Sequence, residues 1–253
     1  YTTEQTRSSV VRVALFSWNW WAARNALVAR PDLGHLWYVS VYVQILVVLV
    51  AAFWLLRRYP WVLLAALTVA SAMTTRWRAV VLDDHDIYQA LLKTTVRAEP
   101  MLWGATLGVL LFLVGDRYRD RLREWSLPMS VAGAAGTVLV LVFWSATEEY
   151  FSPLGTSYNI AMVLLLTGLL YAGPRNPVSR GLSTRVLVLL GAYSLAIYVW
   201  HYPIFWAVSR HSADWSSWSR VAVAFVLTAL ASWFTTSRVD RRVTQWLDTR
   251  LPR

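Results

Sequence analysis

Long apolar runs parted by short charged segments constrain this chain more than any other feature. Eight can be read, at about 8–23, 36–56, 60–75, 99–114, 127–146, 158–172, 186–208 and 219–236. A run of roughly 20 apolar residues matches the hydrocarbon thickness of a bilayer. The pattern predicts an all-α fold, a polytopic transmembrane helical bundle of seven or eight membrane segments, formed as a single domain over residues 1–253. Several runs fall short of a straight span, so tilt or flanking residues must complete them. The first run, with Arg12, Asn19 and several Trp, reads as a partial or interfacial helix.

Charge supports the same class. Charged residues are 15% of the chain and hydrophobic ones 57%, a balance a soluble domain of this size would not show. The net charge of +10 resides mostly in loop arginines. The positive-inside bias and anionic headgroups account for it, so membrane lipids are the expected partner and nucleic acid is not. One set of loops holds Arg57 and Arg58, then Arg117 to Arg123, then Arg175, Arg180 and Arg185, then Arg238, Arg241, Arg242, Arg250 and Arg253. This richer set is expected to be cytoplasmic, with the C-terminus, in a bacterial plasma membrane. Cys is absent, which excludes disulfides, thiolate metal sites and Cys nucleophiles. The chain starts at Tyr1 rather than Met, as expected of a portion of a longer polypeptide.

On this topology the loop at about 76–98 faces outward and carries Asp83, Asp84, His85 and Asp86. Four consecutive residues cannot all converge from a helix or strand, so no metal site is expected. Glu148 and Glu149 read as a solvated turn, and Asp116 to Glu124 as an amphipathic connector at lipid phosphates. Gly-rich phosphate loops, nucleophile elbows and HExxH motifs are absent.

Polar residues inside apolar runs are the candidates for function, because such groups are costly in hydrocarbon. The stretch from Gly191 to Phe205 places His201 among Tyr198, Trp200 and Tyr202, ahead of Pro203. Pro203 has no N–H to return to Val199, so a kink or a freed carbonyl is expected there. An interfacial aromatic belt is the competing account. In the second run, His35 precedes Trp37, Ser40 and Gln44, which share one helical face. Gln44 lies deep enough to need a partner for its amide. Arg97 and Glu99 open the fourth run, just before Pro100. The topology sends these groups toward one membrane face, where a polar cavity would satisfy them together.

At these residues the chain resembles the acyltransferase 3 family of integral membrane O-acyltransferases. The match runs through Tyr193-Ser194-Leu195, Tyr198-Val199-Trp200-His201 and Pro203. It includes the His35–Gln44 segment, Arg97-Ala98-Glu99 with Gly104 beyond, and Ser237–Arg241 near the end. The chain departs from the family at Tyr42 and Val43, where acids are usual, and lacks the family's first helices. Those helices carry the histidine taken as catalytic base. The spacing of Arg24 and His35 imitates that motif, but Pro31 and Gly34 interrupt it.

The resemblance implies transfer of an acyl group from acyl-CoA, commonly acetyl-CoA, to a hydroxyl of a cell-surface glycan or glycolipid, with no bound cofactor and no metal. It implies His201, His35, Arg97 and Glu99 in the catalytic machinery, with Glu99 fixing the Arg97 side chain. Trp37, Gln44, Tyr193, Ser194 and Trp200 are implied in substrate binding. Two other readings stay open: a transporter or flippase for a lipid-linked sugar, and an inactive fragment or half of a split enzyme whose partner supplies the first helices.

Overall fold

The computed structural model describes residues 2–25, 29–83, 86–240, 242 and 245. Asp84 and His85 of the acidic loop, and Arg241, Arg250 and Arg253, lie outside the described residues. Among the described residues every regular element is helical. In chain order they are α1 (Thr3–Ala14), α2 (Trp18–Arg24), a 3₁₀ turn (Pro31–Leu36), α3 (Trp37–Leu56) and α4 (Pro60–Val80). Then come α5 (Ile87–Leu92), α6 (Thr94–Arg97), α7 (Glu99–Val114), α8 (Arg119–Glu124) and α9 (Ser126–Phe143). A 3₁₀ turn (Thr147–Phe151), α10 (Pro153–Leu170), α11 (Pro177–Leu182), α12 (Arg185–His211) and α13 (Ser217–Phe234) follow. A π-helical turn (Thr235–Asp240) comes after α13.

Among the described residues, five helical segments are long and apolar enough to cross a membrane: Pro31–Leu56, Ser126–Phe143, Pro153–Leu170, Arg185–His211 and Ser217–Arg238. Helix α7 is apolar but only 16 residues long. Val47, Val48, Phe112, Val142 and Trp218 are exposed, which suits contact with lipid better than with water. Helix starts follow local chemistry. Proline occupies the first turn of α4, α7 and α10, where its missing N–H costs no hydrogen bond. Ser152 and Ser216 cap α10 and α13 by accepting from Leu154 N and Ser219 N.

Two sequence expectations are corrected here. The first run does not form one helix over 8–23. It breaks into α1 and α2 around Phe16, whose φ of 51° is unusual for a bulky residue. The Phe16 carbonyl accepts from Gln44 Nε2 at 2.5 Å, a contact that fixes the break. Helix α4 does not end near residue 75 but runs to Val80, so Arg76 and Arg78 are helical and not part of a loop.

The chain packs as two compact units. Unit one comprises residues 1–29 and 37–182. Its core sets Val41, Ile45 and Leu49 of α3 with Leu63 and Leu67 of α4 and Leu102 and Val109 of α7. Four-residue spacings bring these side chains to one face of each helix. A second apolar cluster gathers Val81, Ala90, Val96, Tyr150 and Phe151.

Helices α9 and α10 approach most closely. A Cβ at Gly133 would lie 2.3 Å from Leu165 N, and one at Gly168 would lie 2.4 Å from Ser130 N. Small residues permit such backbone contact where lipid supplies no hydrophobic drive for association. Gly168→Leu is expected to part the two helices and destabilise unit one by at least the usual overpacking cost of about 1–3 kcal/mol. Thermal unfolding in detergent measures this, and an unchanged midpoint would contradict the packing described.

Unit two comprises residues 30–36 and 183–253. Helix α12 packs along α13, with Ala196 and Ala224 buried, and the Pro31–Leu36 turn lies against α12.

Candidate functional site

Unit one holds a buried ion pair. Arg78, in the last turn of α4, is 1% exposed, and Glu99, at the start of α7, is fully buried. Arg78 Nε donates to Glu99 Oε2 at 2.5 Å. The remaining guanidinium donors reach the Tyr150 carbonyl, the Ser152 carbonyl and Thr156 Oγ1. Glu99 Oε1 accepts from Thr75 Oγ1 and from Asn159 Nδ2, each at 2.9 Å. A carboxylate so occupied is committed to holding α4, α7 and α10 together. Glu99 therefore holds Arg78 and not Arg97, the partner that the resemblance implies. Residues two apart on a helix do not face each other, whereas α4 brings Arg78 directly onto it.

Arg97 has other company. Its Nε donates to the Leu91 carbonyl at 3.0 Å. Its guanidinium carbon lies 4.1 Å from the Tyr150 ring centre and 5.1 Å from that of Trp37, so two aromatic faces receive it. Among the described residues, no carboxylate lies within ion-pair distance of Arg97. Burial draws its pKa below the usual arginine value, and a nearby anion would offset that penalty. Burial also pushes the Tyr150 phenol up. Tyr150 thus keeps the proton it donates to the Val96 carbonyl at 3.0 Å.

Gln44 is engaged within the same unit. Its Nε2 donates to Asn19 Oδ1 at 3.0 Å, besides Phe16 O, and its Oε1 accepts from Thr94 Oγ1 at 2.6 Å. Asn19 Nδ2 reaches Leu92 O and Thr94 Oγ1, both at 3.0 Å. This network ties α2, α3 and α6. It borders an apolar cavity of about 700 Å³ lined by residues that include Phe16, Trp20, Gln44, Val48, Thr94 and Leu102.

Unit two brings two histidines together. His35 sits in the Pro31–Leu36 turn and His201 in α12, with ring centroids 5.4 Å apart and planes at 74°. His35 Nε2 donates to the Val199 carbonyl at 3.1 Å. That is the carbonyl Pro203 leaves without a helical donor, as expected from the sequence, although α12 continues through the proline. The Tyr198 hydroxyl donates to the His35 carbonyl. His201 Nδ1 donates to the Tyr198 carbonyl at 2.7 Å and lies 3.1 Å from that of Ile197. The Tyr202 ring centre lies 5.1 Å from that of His35.

The remaining candidates in this unit are dispersed. Tyr193 lines a slot of about 320 Å³ with Ile197, Ser232 and Trp233. Ser194 is exposed on α12. Trp200 Nε1 donates to Thr235 Oγ1 at 2.9 Å. Arg78, Asn159 and Asn19 are not among the candidate site residues that the sequence offers. The apolar residues Met73, Trp77 and Val80, whose helical spacing carries on across residue 75, are the signal that Arg78 lies on a helix.

A family described as "Acyltransferase domain" matches residues 8–237. The O-acetyltransferase OatA of Staphylococcus aureus strains NCTC 8325 / PS 47 and COL is 23% identical over 214 residues. That alignment covers 79% of this chain and 35% of each relative, so the chain spans about a third of the length of these curated relatives. No solved structure gives a significant match. The family match extends through both units and takes in the Arg97 and His35–His201 segments; the chain belongs to the acyltransferase 3 family.

Proposed function

We propose that this chain acts in membrane O-acyl transfer, moving an acyl group, in the simplest case acetyl, from acyl-CoA to a hydroxyl of a cell-surface glycan or glycolipid. The carrying observation is the His35–His201 pair, two imidazoles tethered by backbone carbonyls in a chain of this family. Acyl transfer to a hydroxyl needs a group to take its proton and a cation or donor for the thioester oxyanion. In this reading the histidine pair orients the acceptor hydroxyl and relays its proton. Arg97, in unit one, supplies a cation that has no acidic partner among the described residues, fitted to a phosphate or a carboxylate of a substrate. Tyr193, Ser194 and Trp200 would contact the acceptor. The loop arginines support a cytoplasmic C-terminus, and the family's first-helix histidine would come from the same polypeptide or from a partner chain.

The test is incubation of membranes containing the complete gene product with labelled acetyl-CoA, followed by identification of the labelled lipid or glycan. Arg97→Lys keeps the charge but loses the planar group that stacks on Trp37 and Tyr150. Transfer is expected to fall about tenfold or more, consistent with a charged hydrogen bond worth roughly 1.5–3 kcal/mol. Full activity in Arg97→Lys and Arg97→Ala would remove Arg97 from the mechanism.

A further inference from the structure

The two imidazoles are held in opposite tautomers. A carbonyl oxygen only accepts, so the nitrogen facing it must carry the proton. His35 faces the Val199 carbonyl with Nε2, and His201 faces the Tyr198 carbonyl with Nδ1. Neutral His35 is therefore the Nε2–H form, and neutral His201 the Nδ1–H form. His35 Nδ1 is buried and has no hydrogen-bond partner among the described residues. No hydrogen bond to His201 Nε2 is formed among the described residues either. The neutral pair thus keeps two lone pairs without a partner among the described residues, while both ring N–H groups are spent on carbonyls.

We infer that Pro203 is a positioning residue that sets this arrangement, making the histidine pair a receptor for a hydroxyl proton and not for an oxyanion. A residue with an N–H at position 203 would bond to the Val199 carbonyl along the helix axis. Proline withholds that donor and its ring turns the carbonyl aside. The freed oxygen takes the His35 Nε2–H, which leaves Nδ1 bare. The Tyr198 hydroxyl, donating to the His35 carbonyl, holds the turn that carries the ring. An acceptor alcohol brings one O–H to donate, which matches a site made of lone pairs. A thioester oxyanion needs donors, and the two neutral rings have none to give.

That the donating ligand is an acyl acceptor rests on the proposed transfer reaction; the tautomers do not. The complete gene product is prepared in detergent with ¹⁵N-labelled histidine, on a background of His85→Gln and His211→Gln, leaving His35 and His201 as its labelled histidines within residues 1–253. Spectra are taken at a pH where both imidazoles are neutral. The expected result is a proton on Nε2 of His35 and on Nδ1 of His201. In Pro203→Ala, His35 loses its single tautomer while His201 keeps its own. Transfer to the hydroxyl acceptor then falls on the order of tenfold to a hundredfold, the scale known for losing the group that orients a metal-binding imidazole.

A wild-type His35 protonated on Nδ1 overturns the inference, and this measurement decides even if Pro203→Ala does not fold. A folded Pro203→Ala protein with an unmoved His35 signal also overturns it. Tautomers as stated, in a protein that transfers no acyl group to any hydroxyl, support the tautomer assignment and overturn the transfer reading.

Discussion

Glu99→Ala destabilises unit one by about 3–5 kcal/mol, the cost of leaving one charge of a buried pair without its partner. Arg78 would keep the Tyr150 and Ser152 carbonyls and the Thr156 hydroxyl but lose its carboxylate partner. Thr75 and Asn159 would lose the acceptor they share. The double variant Arg78→Met with Glu99→Leu should recover much of the loss, because removing both charges also removes their desolvation penalty. The measurement is thermal or denaturant unfolding in one detergent for the parent, both singles and the double. Single variants as stable as the parent would show that the pair does not hold α4, α7 and α10 together.

His201→Asn is expected to lower acyl transfer by about a hundredfold or more, within the range ascribed to a positioned proton-transfer group. Asparagine is the informative replacement. Its amide nitrogen can occupy the place of Nδ1 and keep the bond to the Tyr198 carbonyl, so the turn of α12 is preserved. What disappears is the lone pair on Nε2. Transfer by the complete gene product is measured alongside its thermal midpoint and its amount in the membrane. A variant of normal stability and normal activity would exclude His201 from proton handling. Transfer lost together with stability would point to a packing role for the ring.

The membrane helices were the most legible part of the sequence, since length and apolarity alone dictate them. Helices α3, α7, α9, α10, α12 and α13 fall within a few residues of the apolar runs. Legibility failed where a polar residue continues a helix past its apolar stretch. Arg76 and Arg78 resembled the start of a loop, yet α4 includes both, because buried partners offset the cost of Arg78. The partner of Glu99 is hidden as well. The resemblance implies Arg97, two residues away, while the carboxylate pairs with Arg78, 21 residues away on another helix. Pro203 disclosed that the Val199 carbonyl would be free, since that follows from local covalent structure. The donor that fills it, His35, is 164 residues distant, and no local rule names it.

The partners of Arg78 also impose an order of arrival as the chain is synthesised from its N-terminus. Glu99 emerges 21 residues after the arginine, within the span needed to return α7 against α4. The carbonyls of Tyr150 and Ser152 and the hydroxyl of Thr156 come 72, 74 and 78 residues after it. Charge neutralisation is therefore available to a nascent α4–α7 hairpin, while the neutral oxygens can close around the guanidinium only once the chain has reached the start of α10. A chain stalled before residue 150 would carry a paired but incompletely enclosed arginine.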